Sequence, residues 1–143
     1  AEDTIDHAAL VARLEERPSI TTNLQIHGFH HHAERFGNLA LYGSDATVIN
    51  DLIIGNPDYQ KPLHPKFTTV AGEVVWAVRQ EMARTVEDFL ARRIRALLLD
   101  ARASMEMAPE VARIMALELG RDEVWIQSQV DAYRTLAKGY ILG

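Results

Sequence analysis

The chain contains no cysteine. That excludes a disulfide, a thiolate nucleophile and cysteine-ligated zinc or iron–sulfur sites. Its longest purely aliphatic stretch is Leu97-Leu98-Leu99, far short of the roughly 20 apolar residues of a membrane span. The opening Ala-Glu-Asp-Thr lacks the basic and apolar regions of a secretory signal, so a cytoplasmic location is expected. The glycines stand at 28, 37, 43, 55, 72, 120, 139 and 143, and no two are separated by a single residue. A dinucleotide fingerprint needs that spacing, because the backbone must turn tightly and approach a pyrophosphate at a helix N-terminus. No glycine precedes lysine, which removes the P-loop. Neither G-x-S-x-G nor H-E-x-x-H occurs, so no self-contained nucleotide, flavin or hydrolase site is legible.

What is present is one domain's worth of chain: 143 residues, 48% of them apolar. A chain of this size buries roughly 70% of its unfolded surface, so a globular core is expected and intrinsic disorder is excluded. The net charge of −5 argues against a nucleic-acid footprint, and no nucleic-acid partner is expected.

The pattern along the chain is mainly helical. Residues 1–17 read as a helix, acidic at its start and with Arg13 and Arg17 at its end, as the helix dipole prefers; Pro18 stops it. From Ser19 to His27 the period changes to two, with Ile20, Thr22, Leu24 and Ile26 on one side, which predicts a short extended segment. The glycine-broken stretch from Gly28 to Ser44 reads as irregular, with a helical turn around Ala33. Val48, Ile49, Leu52 and Ile53 recur at helical spacing after the capping candidates Ser44 and Asp45, and Gly55-Asn56-Pro57 closes that helix. Residues 56–67 carry Pro57, Pro62 and Pro65 and predict a loop. Val75, Val78, Met82, Val86, Phe89 and Leu97 then share one face. Thr85 and Asp88 offer a break in it, in the manner of a capping box with Asp in place of Glu or Gln. Pro109 suits the first turn of a new helix carrying Val111, Ile114, Met115 and Leu119, ended by Gly120. Asp122 caps a last helix with Ile126, Val130, Tyr133, Leu136 and Tyr140 on one face. The expectation is a mainly α, compact single domain of five or six helices with a short extended segment near residues 19–27.

Few residues point to chemistry on their own. His30-His31-His32, with His27 and His64, is the most metal-like feature. Adjacent residues cannot all face one tetrahedral ion, and Gly28 weakens the i, i+4 pair His27–His31. No metal site is therefore assigned, and surface or interface histidines are expected. Arg79, Arg84, Arg92, Arg93, Arg95 and Arg102 lie among Glu81, Glu87, Asp88 and Asp100. This mixture predicts ion pairs such as Glu81–Arg84, Asp88–Arg92 and Asp88–Arg95 if the helix runs through them, in preference to a phosphate or nucleic-acid site. Residue chemistry alone leaves a helical domain without a complete active site.

The segment Glu81-Met-Ala-Arg-Thr-Val-Glu-Asp-Phe-Leu-Ala-Arg-Arg93 carries more. It resembles the E-x-x-R-T-x-x-D-x-L-x-R-R-T pattern in the C-terminal helical domain of FAD-dependent glycerol-3-phosphate dehydrogenases. Glu81, Arg84, Thr85, Asp88, Leu90, Arg92 and Arg93 all fall into place. Ile26-His27-Gly28, Leu41-Tyr42-Gly43-Ser44-Asp45, Pro62-Leu63-His64-Pro65 and Leu99-Asp100-Ala101-Arg102-Ala103 are also similar to family stretches. Residues Ala1–Asp6 are similar to the tail of the last helix of the family's FAD domain. Ile94 departs from the pattern, standing where the family has Thr; a capping Thr there would be worth about 1 kcal/mol. The His30-His31-His32 run departs too, and no function is carried over to it.

The resemblance implies a two-part parent enzyme that oxidises sn-glycerol 3-phosphate to dihydroxyacetone phosphate, with electrons passing through FAD to a membrane quinone. Residues 1–17 would be the tail of the helix joining the absent FAD domain, and 18–143 the C-terminal helical domain. Catalytic and cofactor-binding residues would lie outside this chain. The expected partner is the N-terminal FAD domain of the same polypeptide, met through Glu81, Arg84, Thr85, Asp88, Arg92 and Arg93, unless these residues brace helices within the domain instead. Apolar surface bared by removal of the larger part would favour a homodimer. The parent is expected at the inner face of the cytoplasmic membrane. A stand-alone helical interaction module, a metal-binding regulator built on the histidines, and an oxygen-dependent glycerophosphate oxidase remain the alternatives.

Overall fold

In the computed structural model, which describes residues 2–15, 17 and 20–141, the acidic opening folds as helix α1 (Glu2–Ala12). It stops earlier than the charge pattern suggests, because Arg13 turns the chain with a left-handed φ of 53°. The stop expected at Pro18, and the residues Ala1 and Ser19 that bound two of the sequence readings, lie outside the described residues. Ile5, Leu10, Val11 and Leu14 are exposed, and none of the principal helix packings involves α1.

The extended segment expected near residues 19–27 is not a strand. Thr21–Asn23 makes a 3-10 turn, Leu24–Ile26 is irregular, and Ile20, Leu24 and Ile26 are all exposed. Alternating apolar residues give a strand only where a sheet receives them. Among the described residues the one ladder contact is a bridge between Pro62 and Val70. The stretch that reads as irregular is more regular than expected: Ala33–Asp45 is a 3-10 run, broken where Gly37 and Gly43 take φ of 56° and 52°.

Helix α2 (Ala46–Ile54) follows, and the Asn56 side chain caps a 3-10 turn over Pro57–Gln60, accepting the Asp58 amide at 3.0 Å. The proline-rich loop then folds back on itself through Leu63 N to Thr69 O and Ala71 N to Lys61 O. Helix α3 (Ala71–Gln80) starts there, its first turn closed by Glu73 Oε1, which accepts the Val70 amide at 2.9 Å. Helix α4 (Ala96–Leu99) is a single turn. Its N-cap is Arg95, not Ile94, so the family's Thr at 94 would not cap it directly. Helices α5 (Ala101–Leu119) and α6 (Glu123–Lys138) complete the fold.

The core sits where α5 packs along α6 and α3. Val74, Val75, Phe89, Leu90, Met107, Val111, Met115 and Tyr133 are buried there, and each large apolar side chain contributes about 1.5–3 kcal/mol. Buried Tyr133 donates its hydroxyl to Ser104 Oγ at 3.1 Å, and Ser104 donates on to the Ala101 carbonyl. Two caps expected from sequence form: Asp122 Oδ1 accepts the Trp125 amide at 2.9 Å, and Gly120 closes α5 at φ 64°. Three expectations fail: Tyr140 lies past the end of α6 and is exposed, and two more concern Pro109 and Met82. Pro109 does not open a helix but lies inside α5, because Met107, Ala108, Val111 and Ala112 on either side of it are all buried. Met82 does not share the apolar face of Val75 and Val78; it sits past the end of α3 with φ 56° and is 79% exposed.

Candidate functional site

Helix α3 ends at Gln80, and the chain turns through Met82 before resuming helix at Val86. Such a break leaves backbone donors and acceptors without helical partners, and the residues of the Glu81–Arg93 segment supply them. Asp88 Oδ2 accepts the amides of Arg84 and Thr85 at 3.0 and 2.9 Å, while Thr85 Oγ1 accepts the Asp88 amide at 3.2 Å. The break and the Asp-type capping box expected at Thr85–Asp88 are therefore both present. Arg84 donates to the carbonyls of Val78 and Ala83, both at 2.9 Å. Arg93 bonds the Glu81 carbonyl and pairs with Glu81 Oε2 at 2.7 Å. Arg92 bridges Asp88 and Glu87, both at 2.8 Å.

Between these residues the backbone makes a π-helical turn over Asp88–Arg93, in which the Ile94 amide reaches the Phe89 carbonyl at 3.1 Å. Of the helical ion pairs expected, Asp88–Arg92 forms. Arg84 goes to carbonyls and not to Glu81. Arg95 takes φ 55° and makes no hydrogen bond or ion pair through its side chain with the described residues. Burial pulls the Asp88 carboxyl up, but the bonds from Arg84 and Thr85 and the Arg92 charge outweigh it and hold it below the usual carboxylate range.

The other stretches that resemble the family also meet in space. Gly28 and Gly43 cross at van der Waals contact: the Ser44 amide donates to the Gly28 carbonyl at 3.2 Å, and a Cβ on Gly43 would fall 1.7 Å from that oxygen. Beside the crossing His27 Nε2 donates to Asp45 Oδ2 at 2.8 Å. Asp45 therefore stands at the start of α2 without capping it through its side chain. Tyr42 reaches inward and donates to Glu73 Oε2 at 3.0 Å. Burial, with the adjoining Glu73 carboxylate, drives the Tyr42 hydroxyl far above its usual range. Burial likewise raises Glu73, against bonds from the Val70 amide and Tyr42. In the proline-rich loop, His64 donates to Glu106 at 3.0 Å. Lys66 pairs with Asp100 at 2.7 Å, and Asp100 caps α5 by accepting the Ala103 amide at 2.9 Å.

The 41–45, 81–93 and 99–103 stretches contribute to an open groove of about 900 Å³ whose walls include Leu41, Tyr42, Met82, Arg93, Arg95 and Leu99. Sequence reasoning missed Tyr42–Glu73, Leu41 and Arg95 as parts of one site, because each belongs to a different stretch and only the fold joins them. The groove offers no acid–base pair: both Glu73 oxygens are already bonded and Tyr42 holds its proton. His30 and His31 lie edge-on to Phe36 and Phe29, with ring centroids 4.8 Å apart. Among the described residues no three His, Asp or Glu gather to hold a metal ion. Gly43, a positive-φ glycine just ahead of α2, is covered by the Gly28 carbonyl, with the Asp45 carboxylate beside it; both would repel an anion at that turn.

The family model for the C-terminal domain of alpha-glycerophosphate oxidase matches residues 19–125. The chain is 32% identical over 156 aligned positions to a protein of Caenorhabditis elegans named probable mitochondrial glycerol-3-phosphate dehydrogenase, covering 94% of this chain and 22% of that protein. It is 37% identical over 100 positions to the mitochondrial glycerol-3-phosphate dehydrogenase of Schizosaccharomyces pombe, covering 70% of this chain and 14% of the relative. The chain thus spans about a fifth or less of the length of these curated relatives. No solved structure matches.

Proposed function

The chain belongs to the family of the C-terminal domain of alpha-glycerophosphate oxidase, and from that premise we propose that it is the helical domain of an FAD-dependent glycerol-3-phosphate dehydrogenase. The parent would oxidise sn-glycerol 3-phosphate to dihydroxyacetone phosphate, removing a hydride and a proton from the secondary alcohol. The observation that carries this reading is the pairing of relatives named for that activity with a chain matching only a fifth of the longer aligned one.

Flavin and substrate chemistry belong to the remainder of the polypeptide, since cofactor enzymes place the reactive atom through the domain that binds the cofactor. This domain's part is structural: it packs on the FAD domain. The loose attachment of α1, with its exposed Ile5, Leu10 and Val11 and exposed Leu14 just beyond it, supports assigning residues 1–17 to the preceding domain and 18–143 to this one. Glu81, Arg84, Thr85, Asp88, Arg92 and Arg93 stand at the contact. The bonds above favour a division of labour among them: Arg84, Thr85, Asp88 and Arg93 brace the helix break, and Arg92 presents the exposed rim. A quinone acceptor, which partitions into lipid, would place the parent peripherally at the inner face of the cytoplasmic membrane. Among the described residues no helix is long and apolar enough to cross a membrane.

The test is purification of the full-length parent and of the 143-residue chain side by side. The parent should carry flavin absorbance and reduce a soluble quinone analogue when given glycerol 3-phosphate. The 143-residue chain should be colourless and inactive. Flavin retained stoichiometrically by the short chain, or turnover by it alone, would overturn the proposal. Faster transfer to oxygen than to quinone would move the parent to the oxidase branch.

A further inference from the structure

The groove beside the helix break has an unusual wall. Leu41 is 98% exposed, Met82 79% and Leu99 72%, and all three line the same groove. Single exposed apolar residues are ordinary, but a cluster of large ones rimmed by charge marks an interaction surface. Two of the groove residues, Met82 and Arg95, also hold left-handed backbone conformations at φ 56° and 55°, which cost bulky residues about 1–2 kcal/mol each. Both turns hold their side chains in the exposed wall of the groove, Met82 with no core to pack against and Arg95 with no internal anion to meet. Arg92 is committed to Asp88 and Glu87 and Arg93 to Glu81. Among the groove arginines the one unpaired with the described residues is therefore Arg95, while the other charged group without an ion-pair partner, Glu73, has both oxygens bonded by Tyr42 and the Val70 amide.

We infer that this groove is the seat of a segment from the part of the parent polypeptide outside this chain. That segment carries an apolar side chain that packs among Leu41, Met82 and Leu99, and a carboxylate that pairs with Arg95. Two observations select this occupant. The relative that matches 94% of this chain has 78% of its own length beyond the match, so covalently linked chain is present at high effective concentration. The free guanidinium beside an apolar wall is complementary to an acidic-apolar segment and to no cationic one. The inference rests on the two-domain reading above and adds to it the face, the anchoring residues and the chemistry of the opposing segment.

Methionine footprinting tests it without depending on turnover. Dilute peroxide oxidises accessible thioethers to sulfoxides, and Met107 and Met115, which are fully buried, serve as internal controls for unfolding. In the 143-residue chain Met82 should oxidise much faster than Met107 or Met115. In the full-length parent its oxidation should slow by about tenfold, and Arg95→Glu in the parent should restore most of the faster rate while Arg95→Lys does so less. Equal Met82 oxidation in the two proteins overturns the groove assignment. So does protection that appears in the short chain alone as its concentration rises, which would make the occupant a second copy. Flavin content and glycerol 3-phosphate oxidation of the same parent preparation report on the two-domain enzyme separately. A coloured, active parent with an unprotected Met82 refutes the groove and leaves that reading standing.

Discussion

Thr85 and Asp88 cap each other across the break after α3: the Thr85 amide donates to Asp88 Oδ2 at 2.9 Å, and the Asp88 amide donates back to Thr85 Oγ1 at 3.2 Å. The second Asp88 oxygen is taken by Arg92 at 2.8 Å. One carboxylate therefore closes the helix start, satisfies the preceding Arg84 amide and orients a rim guanidinium. The chain spends its most recognisable segment on holding a bend, and the bend gives the groove its shape.

Asp88→Ala should destabilise the domain by about 2 kcal/mol, most of it from the lost cap and the remainder from the partly exposed pair with Arg92. Asp88→Asn keeps an acceptor and should cost less than half as much. Because the folded state holds this carboxyl below its usual range, its contribution is present above the unfolded value near 4 and is lost as pH falls through the folded one. Urea melts at pH 7 and pH 3 measure this: the penalty of Asp88→Ala should shrink at the lower pH. An unchanged penalty would show that ionisation is irrelevant to the cap.

Gly43 and Gly28 make a matched pair of tests. Alanine at 43 would suffer both the left-handed backbone and a Cβ 1.7 Å from the Gly28 oxygen, so Gly43→Ala should destabilise by more than about 3 kcal/mol or open the crossing outright. Gly28 has φ 84° but nothing within 4 Å of an added Cβ, so Gly28→Ala should cost only about 1 kcal/mol. Protection of the Ser44 amide from hydrogen exchange reports the crossing directly. It should vanish in the first variant and persist in the second.

Tyr42 predicts an alkaline weakness. Its hydroxyl titrates far higher in the fold than its ordinary value because burial and the Glu73 carboxylate disfavour the phenolate. A raised folded value means that the stabilisation is whole below pH 10 and drains away as pH climbs beyond it. Tyr42→Phe removes the titrating group and the bond to Glu73, so it should lower stability at pH 8 by about 1 kcal/mol. The variant should also lose stability less steeply between pH 9.5 and pH 11, roughly the range above the free tyrosine value. Parallel slopes for the two proteins would contradict the assignment.

The features legible in the sequence are those decided locally. Thr85–Asp88, Asp122 and Gly120 act within three or four residues, and their chemistry is written in their spacing. The crossing of Gly28 with Gly43 joins stretches separated by an irregular run, and no local pattern encodes it. The alternation at Ile20, Thr22, Leu24 and Ile26 reads as an extended segment because the pattern is correct for one, yet the described residues provide no sheet to receive it. Met82 fits the helical spacing of Val75 and Val78 but is thrown outward by a turn that only the Arg84, Thr85 and Asp88 bonds explain. The groove escapes sequence reading for the same reason as the crossing: Leu41, Met82, Arg95 and Leu99 are neighbours only after folding.

Pro109 gives the sharpest contest between local and tertiary preference. Proline inside a helix removes one hydrogen bond to the carbonyl four residues back and crowds it, at about 3 kcal/mol. That penalty is why the residue reads as a helix start. Nevertheless α5 runs unbroken from Ala101 to Leu119, because Met107 and Ala108 before the proline and Val111 and Ala112 after it are all fully buried. Ending the helix at residue 108 would expose that surface, and its burial outweighs the proline cost. Pro109 itself faces solvent, so a smaller side chain leaves no cavity. Pro109→Ala should therefore restore the bond to the Met105 carbonyl and relieve the crowding. The greater freedom of the unfolded chain offsets about 1 kcal/mol of that gain. The net expectation is a stabilisation of about 2 kcal/mol, read as a rise in Tm of about 7 °C for a domain of this size. A fall in Tm would mean that α5 is kinked at this point to suit its neighbours, and that the proline is part of the packing.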